Sequence, residues 1–543
     1  MSAASSARCG DLFRRLTPSL LAALLATTSA RMAVAAPVEV AVAAEAAAPH
    51  DEIFYQIFLR SFSDSNGDRI GDLRGVQSHL DYLQQLGVTS ILLTPIQPSP
   101  FYHNYFADRF EGVDPAYGTM QDLWALVGAC HARGMKLFLD QEIQYVTENH
   151  PWLKDSLGHP DSPFSHYVCF NGPGNTQPEP VLPGVFALSS YDGRQIGVAT
   201  VNLHEPAVRD YFARLFVAWI DPAGDGGRRD GVDGFRIDHM MDDLDNKGKL
   251  TDLFANFWRP IFAAVRARNP RTRIIAEQAD WGYGDDFLTR GGVDMVFAFP
   301  QRQAIASFDK AAILTAMRET QARTPPGKVQ LTFIENHDTN RFASEVGESR
   351  AREQIGAAFD ILLRGTPLIY YGQELGMRGK QHKAWGSDAN DIPVREAFRW
   401  THDLEATGSA TWYRGPQPWW VDRYNRSDDG VSVEEESRDP QSLLAFYRRL
   451  LQIRARRPEI QSGRETILDS GAADAVCFLR EQGTARTLVA INLAAEPATV
   501  TFPASDQTGQ FAGPWVDLMH DRRPVDAREL HLGPYEVLVA TTP

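Results

Sequence analysis

The sequence predicts an α/β fold: a closed (β/α)8 barrel of the TIM type, with a subdomain inserted after its third strand and an antiparallel β domain at its C-terminus. Three observations carry that reading. Short apolar runs rich in β-branched residues alternate with amphipathic helical segments from Ile53 onward, the pattern of parallel βα units. The runs expected as strands are Phe54–Leu59, Ser90–Thr94, Lys136–Asp140, Gly234–Asp238, Arg273–Glu277, Met295–Phe299, Gln330–Glu335 and Leu368–Tyr371, which is enough to close a barrel. Finally, carboxylates stand at the ends of such runs: Asp238 in GVDGFRIDH, Glu277 in RIIAEQAD and Asp338 in LTFIENHDTNR. In a barrel of this kind, side chains at the carboxyl ends of distant strands meet at one mouth.

Taken in order, the chain opens with Arg14 and Arg15 ahead of LTPSLLAALLATTSA and a small-residue site at Ala33-Val34-Ala35. Residues 1–35 therefore read as an export signal. An anchor helix is the competing reading, but the stretch is too short and too rich in Ser and Thr to span a bilayer. An Ala/Val-rich leader covers 36–49, and the expected location is periplasmic or secreted, with no membrane span after signal removal. The barrel is expected over 50–144 and 202–458. Leu73–Leu86 reads as a helix stopped by Gly87, and Met120–Arg133 as another followed by Gly134. Residues 145–201 are rich in Pro, Gly, Asn and His around NGPGNTQPEP, and so long an insertion after a strand is usually functional. A second long segment, Trp385 to Glu436, holds Trp400, Trp412, Trp419 and Trp420, which either pack or stack on sugar rings. After the helical SLLAFYRRLLQIRAR, residues 459–543 carry alternating runs such as TLVAINL and LHLGPYEVLVA, a small antiparallel domain.

Composition narrows the function. At 543 residues the chain exceeds one typical core. A net charge of −15, from 54 basic and 69 acidic residues, excludes a polyanion-binding surface and hence a nucleic-acid partner. Cys9 leaves with the signal, so Cys130, Cys169 and Cys477 remain. That is no disulfide framework, although one bridge is open to an oxidising compartment. A monomer is expected.

Two carboxyl groups, one protonated and one ionised, are the machinery of glycosidic bond cleavage. Strand-end carboxylates that merely cap helices or pair with arginines are the plainer alternative for any one of the three. Asp238, Glu277 and Asp338 together, with Arg236, Asn336 and His337 alongside, favour chemistry. Arg236 lies two residues before Asp238 on one strand and shares its face, so its charge is expected to hold Asp238 ionised.

These segments resemble the sequence blocks of glycoside hydrolase family 13, the α-amylase family, from about Phe54 to about Arg457 and more weakly to the C-terminus. DGFRID and ENHDTNR are the specific motifs. The resemblance implies that Asp238 is the nucleophile, Glu277 the general acid/base and Asp338 the third carboxylate, which holds sugar hydroxyls. It implies substrate contacts from Tyr105, Asp140, Arg236 and His337; Tyr145 can donate to a sugar hydroxyl in place of the usual His, and Arg341 either contacts substrate or braces its loop. The block DQEIQYV departs from pattern, with Gln144 where Asn is usual and Tyr145 where His is usual. HMMD after Asp238 also departs from the Lys-His pair of many starch-degrading members.

A metal site is expected elsewhere. Asp64, Asn66, Asp68, Ile70 and Asp72 place oxygen ligands at every second residue, with glycines between, like the first part of an EF-hand loop. The expected ion is a structural Ca2+ in the loop after the first strand; an Asx-rich turn is the alternative. The function expected is exported, retaining hydrolysis of α-1,4-glucosidic bonds of an α-glucan such as starch or maltodextrin. An exo-acting α-glucosidase or α-glucan transglycosidase uses the same carboxylates, and a catalytically silent binding protein on the same fold is the remaining alternative.

Overall fold

The computed structural model describes residues 52–226, 230–502, 511 and 513–542. The expected signal, leader and Cys9 lie outside the described residues. Every described residue belongs to one compact unit.

Eight parallel strands close a barrel: β1 (Phe54–Ile57), β2 (Ser90–Leu93), β3 (Lys136–Gln141), β4 (Gly234–Met240), β5 (Arg273–Gln278), β6 (Met295–Phe297), β7 (Val329–Thr332) and β8 (Thr366–Tyr370). Each pairs with its neighbour in sequence, and β1 joins both β2 and β8 through Phe54, which faces Ser90 on one side and Leu368 on the other. Both barrel surfaces are buried, so the strands read as nearly continuous apolar runs. The interior is filled by Phe54, Leu92, Phe138, Ile275, Met295, Phe297 and their neighbours. Phe54 and Phe138 meet edge to face at 4.8 Å. Truncating such a ring to alanine costs about 3–5 kcal/mol.

Local chemistry sets the surrounding helices. Asp72 caps Leu73–Ser78 by accepting the Gly75 N–H, and Thr119 with Asp122 forms a capping box before Met120–Ala132. The single helix expected over Leu73–Leu86 is in fact two, Leu73–Ser78 and Leu80–Leu86. His79 breaks it (φ −110°, ψ 12°), and its imidazole lies flat on Trp400 at 3.5 Å. The sixth strand is shorter than expected because Phe299 opens a helix, Phe299–Ser307.

The insertion forms a three-stranded sheet, with Gln195–Thr200 between Tyr145–Thr147 and Ala187–Ser189. The C-terminal part is antiparallel, a six-stranded and a two-stranded sheet around its own apolar core of Leu468, Leu479, Phe502 and Trp515. Cys130, Cys169 and Cys477 are all free thiols. Among the described residues, no helix is long and apolar enough to cross a membrane.

The tryptophans of the last long loop pack. The Trp400 indole N–H donates to the Phe62 carbonyl, and Trp412 donates to Ser61 Oγ while stacking on Tyr102 at 4.7 Å. Trp420 covers Gly415, where any Cβ would collide with the indole.

Candidate active site

Strands β3, β4, β5 and the segment after β7 bring the predicted carboxylates to one mouth. Arg236, on β4, is fully buried and organises them. Its Nη1 meets Asp140 Oδ1 at 2.8 Å and Asp238 Oδ1 at 2.5 Å, and its Nη2 lies 2.9 Å from Glu277 Oε2. The side chains of Asp238 and Asp338 are 18% and 30% exposed, against 0% for Asp140, so the first two face the opening.

The backbone at the nucleophile position is irregular. The β4–β5 register shifts between Ile237 and Met240, and His239 adopts a positive φ of 44°. Bulges of this kind re-aim side chains beside active sites. Here the bulge turns the His239 N–H onto Glu277 Oε2 at 3.1 Å.

The opposite wall is an aromatic and amide network. Tyr105 donates to Asp140 Oδ2 at 2.7 Å and lies 2.8 Å from His337 Nε2, its ring parallel to the imidazole at 5.7 Å. Gln56 of β1 reaches His337 Nδ1 at 3.1 Å, and His337 Nε2 sits 3.0 Å from Asp338 Oδ2. Asp338 Oδ1 takes the Arg395 guanidinium at 2.9 Å.

Asp338 has its own cation in Arg395, which leaves one guanidinium, Arg236, for three buried carboxyls: Asp140, Asp238 and Glu277. Three carboxyls on one guanidinium, with His239 the further group of cationic tendency beside Asp238 and Glu277, disfavour full ionisation of the cluster. Burial pushes Glu277 above the ordinary carboxyl range, Arg236 opposes this, and Asp238 and Asp338 add to it. Burial also raises Asp238, with Arg236 the largest opposing influence. Arg236 thus pulls Asp238 down as expected, but desolvation outweighs it, and the expectation of a lowered carboxyl is corrected. The Asp238 contact to the guanidinium, at 2.5 Å, is the shortest of the three carboxyl contacts and favours its ionised form. For Asp338 burial acts upward, but His337 and Arg395 outweigh it and hold the carboxylate well below its usual range.

Two predicted substrate residues lie elsewhere. The Tyr145 hydroxyl donates to Asp245 Oδ1 at 2.5 Å and its ring packs against Phe106, so it supports the wall behind the cluster. Arg341 is buried between the Tyr370 and Tyr371 rings, and its Nη1 bonds Glu335 Oε1 at 2.8 Å and the Tyr371 carbonyl at 2.7 Å. It braces the loop, and no part of it reaches the mouth.

Sequence reading assigned no role to two residues. Arg395, in IPVREAFRW, also donates to the His337 carbonyl at 2.9 Å and to the Tyr102 hydroxyl at 2.8 Å. Gln144 donates to the carbonyls of Asp238 (2.5 Å) and His239 (3.1 Å), tying the β3 loop to the end of β4. The buried Glu142 accepts the N–H groups of Gln144, Tyr145 and Phe106 and so fixes that turn.

Of the predicted calcium ligands, Asp64 accepts the N–H groups of Asn66, Gly67 and Arg69, and Asp68 accepts that of Ile70. Asp72 accepts from Ser65 and Gly75. Gly67 and Arg69, at φ 88° and 70°, let the loop wrap tightly. The candidate donors are all oxygen, the type a hard cation takes; Asp64 Oδ1 and Asp72 Oδ2 each accept two hydrogen bonds within the loop, while Asp64 Oδ2, both Asp68 oxygens and Asp72 Oδ1 accept one and keep a lone pair for an ion.

A (β/α)8 barrel whose mouth gathers two carboxyls on one guanidinium, beside a third paired to a histidine and an arginine, has the carboxyl pair of a glycoside hydrolase. Residues 56–463 match the family described as "Alpha amylase, catalytic domain". "Alpha-amylase 3" of Dictyoglomus thermophilum is 26% identical over 508 residues, covering 90% of this chain and 93% of that one. "Probable oligo-1,6-glucosidase 2" of Bacillus subtilis is 25% identical, covering 83% and 92%. The crystal structure of an α-amylase from H. orenii superposes with a TM-score of 0.74 at 27% identity, covering 90% of this chain and 99% of that one. The chain belongs to the α-amylase family, glycoside hydrolase family 13, whose members hydrolyse or transfer glycosyl groups.

Proposed function

We propose that the protein hydrolyses α-1,4-glucosidic bonds of starch or maltodextrins with retention of configuration. The observation that carries this reading is the Arg236 bracket: one buried guanidinium within 2.9 Å of both Asp238 and Glu277 on adjacent strands. In the first step Asp238 attacks the anomeric carbon and Glu277 gives its proton to the departing glycosidic oxygen. In the second, Glu277, now a carboxylate, takes a proton from water as the water displaces Asp238. Asp338, His337 and Tyr105 line the wall where hydroxyls of the reacting sugar are held.

The test is a timed product profile from maltoheptaose, with Glu277→Gln as control. Mixed short maltooligosaccharides, absent in the control, support internal hydrolysis. Glucose released one unit at a time moves the assignment to an exo-acting α-glucosidase, and products longer than the substrate to a transglycosidase. No turnover sinks the reading.

The loop Asp64, Asn66, Asp68, Ile70 and Asp72 is proposed to hold a structural Ca2+ through side-chain oxygens and the Ile70 carbonyl. A metal assay of the purified protein tests it, with melting before and after chelation. A chelator that leaves the melting temperature unmoved contradicts it. Export is proposed from residues 1–35 and is tested by N-terminal sequencing of protein recovered outside the cytoplasm.

A further inference from the structure

A cavity of about 640 Å³ opens at the end of the barrel where the strands begin, opposite the carboxylates. Lys136 and Arg273, the first residues of β3 and β5, line it, with Asp233 just ahead of β4. Arg273 precedes Glu277 on the same strand by 277 − 273 = 4 residues, which places this wall about 13 Å from the acid/base. The rest of the wall comes from the end of the helix Met120–Ala132 and from Asn269 and Arg271, which follow the helix Arg259–Arg268.

Residues at this end of such a barrel usually serve stability. Two of the basic side chains here do so by pairing: Lys136 with the buried Glu52, and His131, whose Nε2 lies 2.9 Å from Asp233 Oδ2. Arg271 and Arg273 pair with nothing. Among the described residues neither guanidinium has a hydrogen-bond acceptor or a carboxylate partner. Asp294, which accepts the Ile274 N–H beside Arg273, is taken by Arg266 at 3.0 Å. Asn269 is only 8% exposed, and its Oδ1 accepts the Arg271 N–H at 3.1 Å. That leaves its NH2 group to the cavity wall, with no acceptor among the described residues. The two helix C-termini that close on this face each carry about half a negative charge, together about one unit. Two unpaired guanidiniums exceed that, so the cleft stays positive.

Two planar guanidiniums and an amide NH2 supply donors without acceptors, the set that matches the oxygens of a phosphate. The cavity is far larger than a phosphate and falls within the range of small-molecule pockets, about 300–1,000 Å³. We propose that it binds a phosphate-bearing small molecule, the phosphate held by Arg271, Arg273 and the Asn269 amide. The chain's net charge of −15 does not oppose this, because exposed charges more than about 8 Å away are largely screened at physiological salt.

Titration calorimetry on the purified protein tests the site, with pyrophosphate and AMP as probes and adenosine as the phosphate-free control. The expected result is one saturable site for each phosphate compound, with Kd below about 1 mM, and no heat from adenosine. Arg271→Gln and Arg273→Gln should each raise Kd about tenfold or more, since each removes charge-assisted hydrogen bonds to the phosphate. Arg271 is exposed, so its replacement leaves the core intact, and an unshifted melting temperature checks this. Asp238→Asn should leave Kd unchanged, which separates this cavity from the catalytic mouth. Absence of saturable binding up to about 10 mM overturns the inference, as does a Kd that neither arginine variant moves. Binding to phosphatidylglycerol vesicles without binding to either soluble probe also overturns it, by assigning the two arginines to a membrane surface.

Discussion

Replacing Gln144 with methionine tests how the nucleophile is held. The side chain is fully buried. Its amide donates to the Asp238 and His239 carbonyls at 2.5 and 3.1 Å and accepts the Ile143 N–H at 2.8 Å. Methionine keeps the length and nearly the volume, so no large cavity forms and the effect isolates the hydrogen bonds. At about 1 kcal/mol net for each bond, the loss is about 3 kcal/mol. For a chain this long that lowers the melting temperature by roughly 3–6 °C. Freeing the end of β4 also lets Asp238 drift from its attack position, and a displacement of about 1 Å costs on the order of 10²-fold in rate. We therefore expect kcat on maltotriose to fall about 10–100-fold with KM within about threefold, because Gln144 touches no sugar-facing side chain. Gln144→Asn, shorter by one methylene, cannot span the same gap and should lose nearly as much. Calorimetry and steady-state kinetics on both variants decide the matter. A Gln144→Met enzyme with an unshifted melting temperature and kcat within twofold of the parent refutes the reasoning. A melting shift without a kcat change leaves the brace and removes the positioning role.

Glu277→Gln should cut turnover of maltotriose by about 10²–10⁴-fold, and glycosyl-enzyme formation from α-glucosyl fluoride by far less, since fluoride departs without a proton. Glu277 is raised by burial and must be protonated to act, so kcat/KM should fall on the alkaline side as it ionises, and this limb should vanish in the Gln variant. Burial pushes the Asp388 carboxyl up to about 8. A raised acid stabilises the fold fully below its unfolded pKa, and that contribution is lost as pH climbs from about 4 toward 8. The melting temperature of Asp388→Asn should therefore gain on the parent across that window and then level off; a pH-independent difference would contradict the assignment. Tyr145→Phe should keep kcat and KM within about threefold, because its hydroxyl serves Asp245 and not the substrate. A loss beyond tenfold would restore Tyr145 to the binding wall.

The barrel strands were legible because each is a short run buried on both faces, and the carboxylates because each stands where such a run stops. Residues whose role depends on a partner far along the chain were not. Tyr145 finds Asp245 one hundred residues later, and Arg395 reaches back 57 residues to Asp338; no local pattern marks either pair. Arg341 was read by its neighbourhood in ENHDTNR, yet the buried Glu335 six residues earlier claims its charge. The break at His79 is likewise non-local, since Trp400 offers the face on which the imidazole stacks. Gln144 shows in the sequence only as a departure from the family block, because the bulge that brings two carbonyls within its reach exists only in three dimensions.

The central claim is that Asp238 forms the covalent bond to sugar while Glu277 handles the proton. It is tested most directly by inactivating the enzyme with 5-fluoro-α-glucosyl fluoride and locating the label by peptide mass spectrometry. The structure predicts one glucosyl label, on the peptide holding Asp238, formed more slowly after Asp338→Asn. A label on Glu277 or Asp140, or turnover of maltotriose by Asp238→Ala at the parent rate, would contradict it.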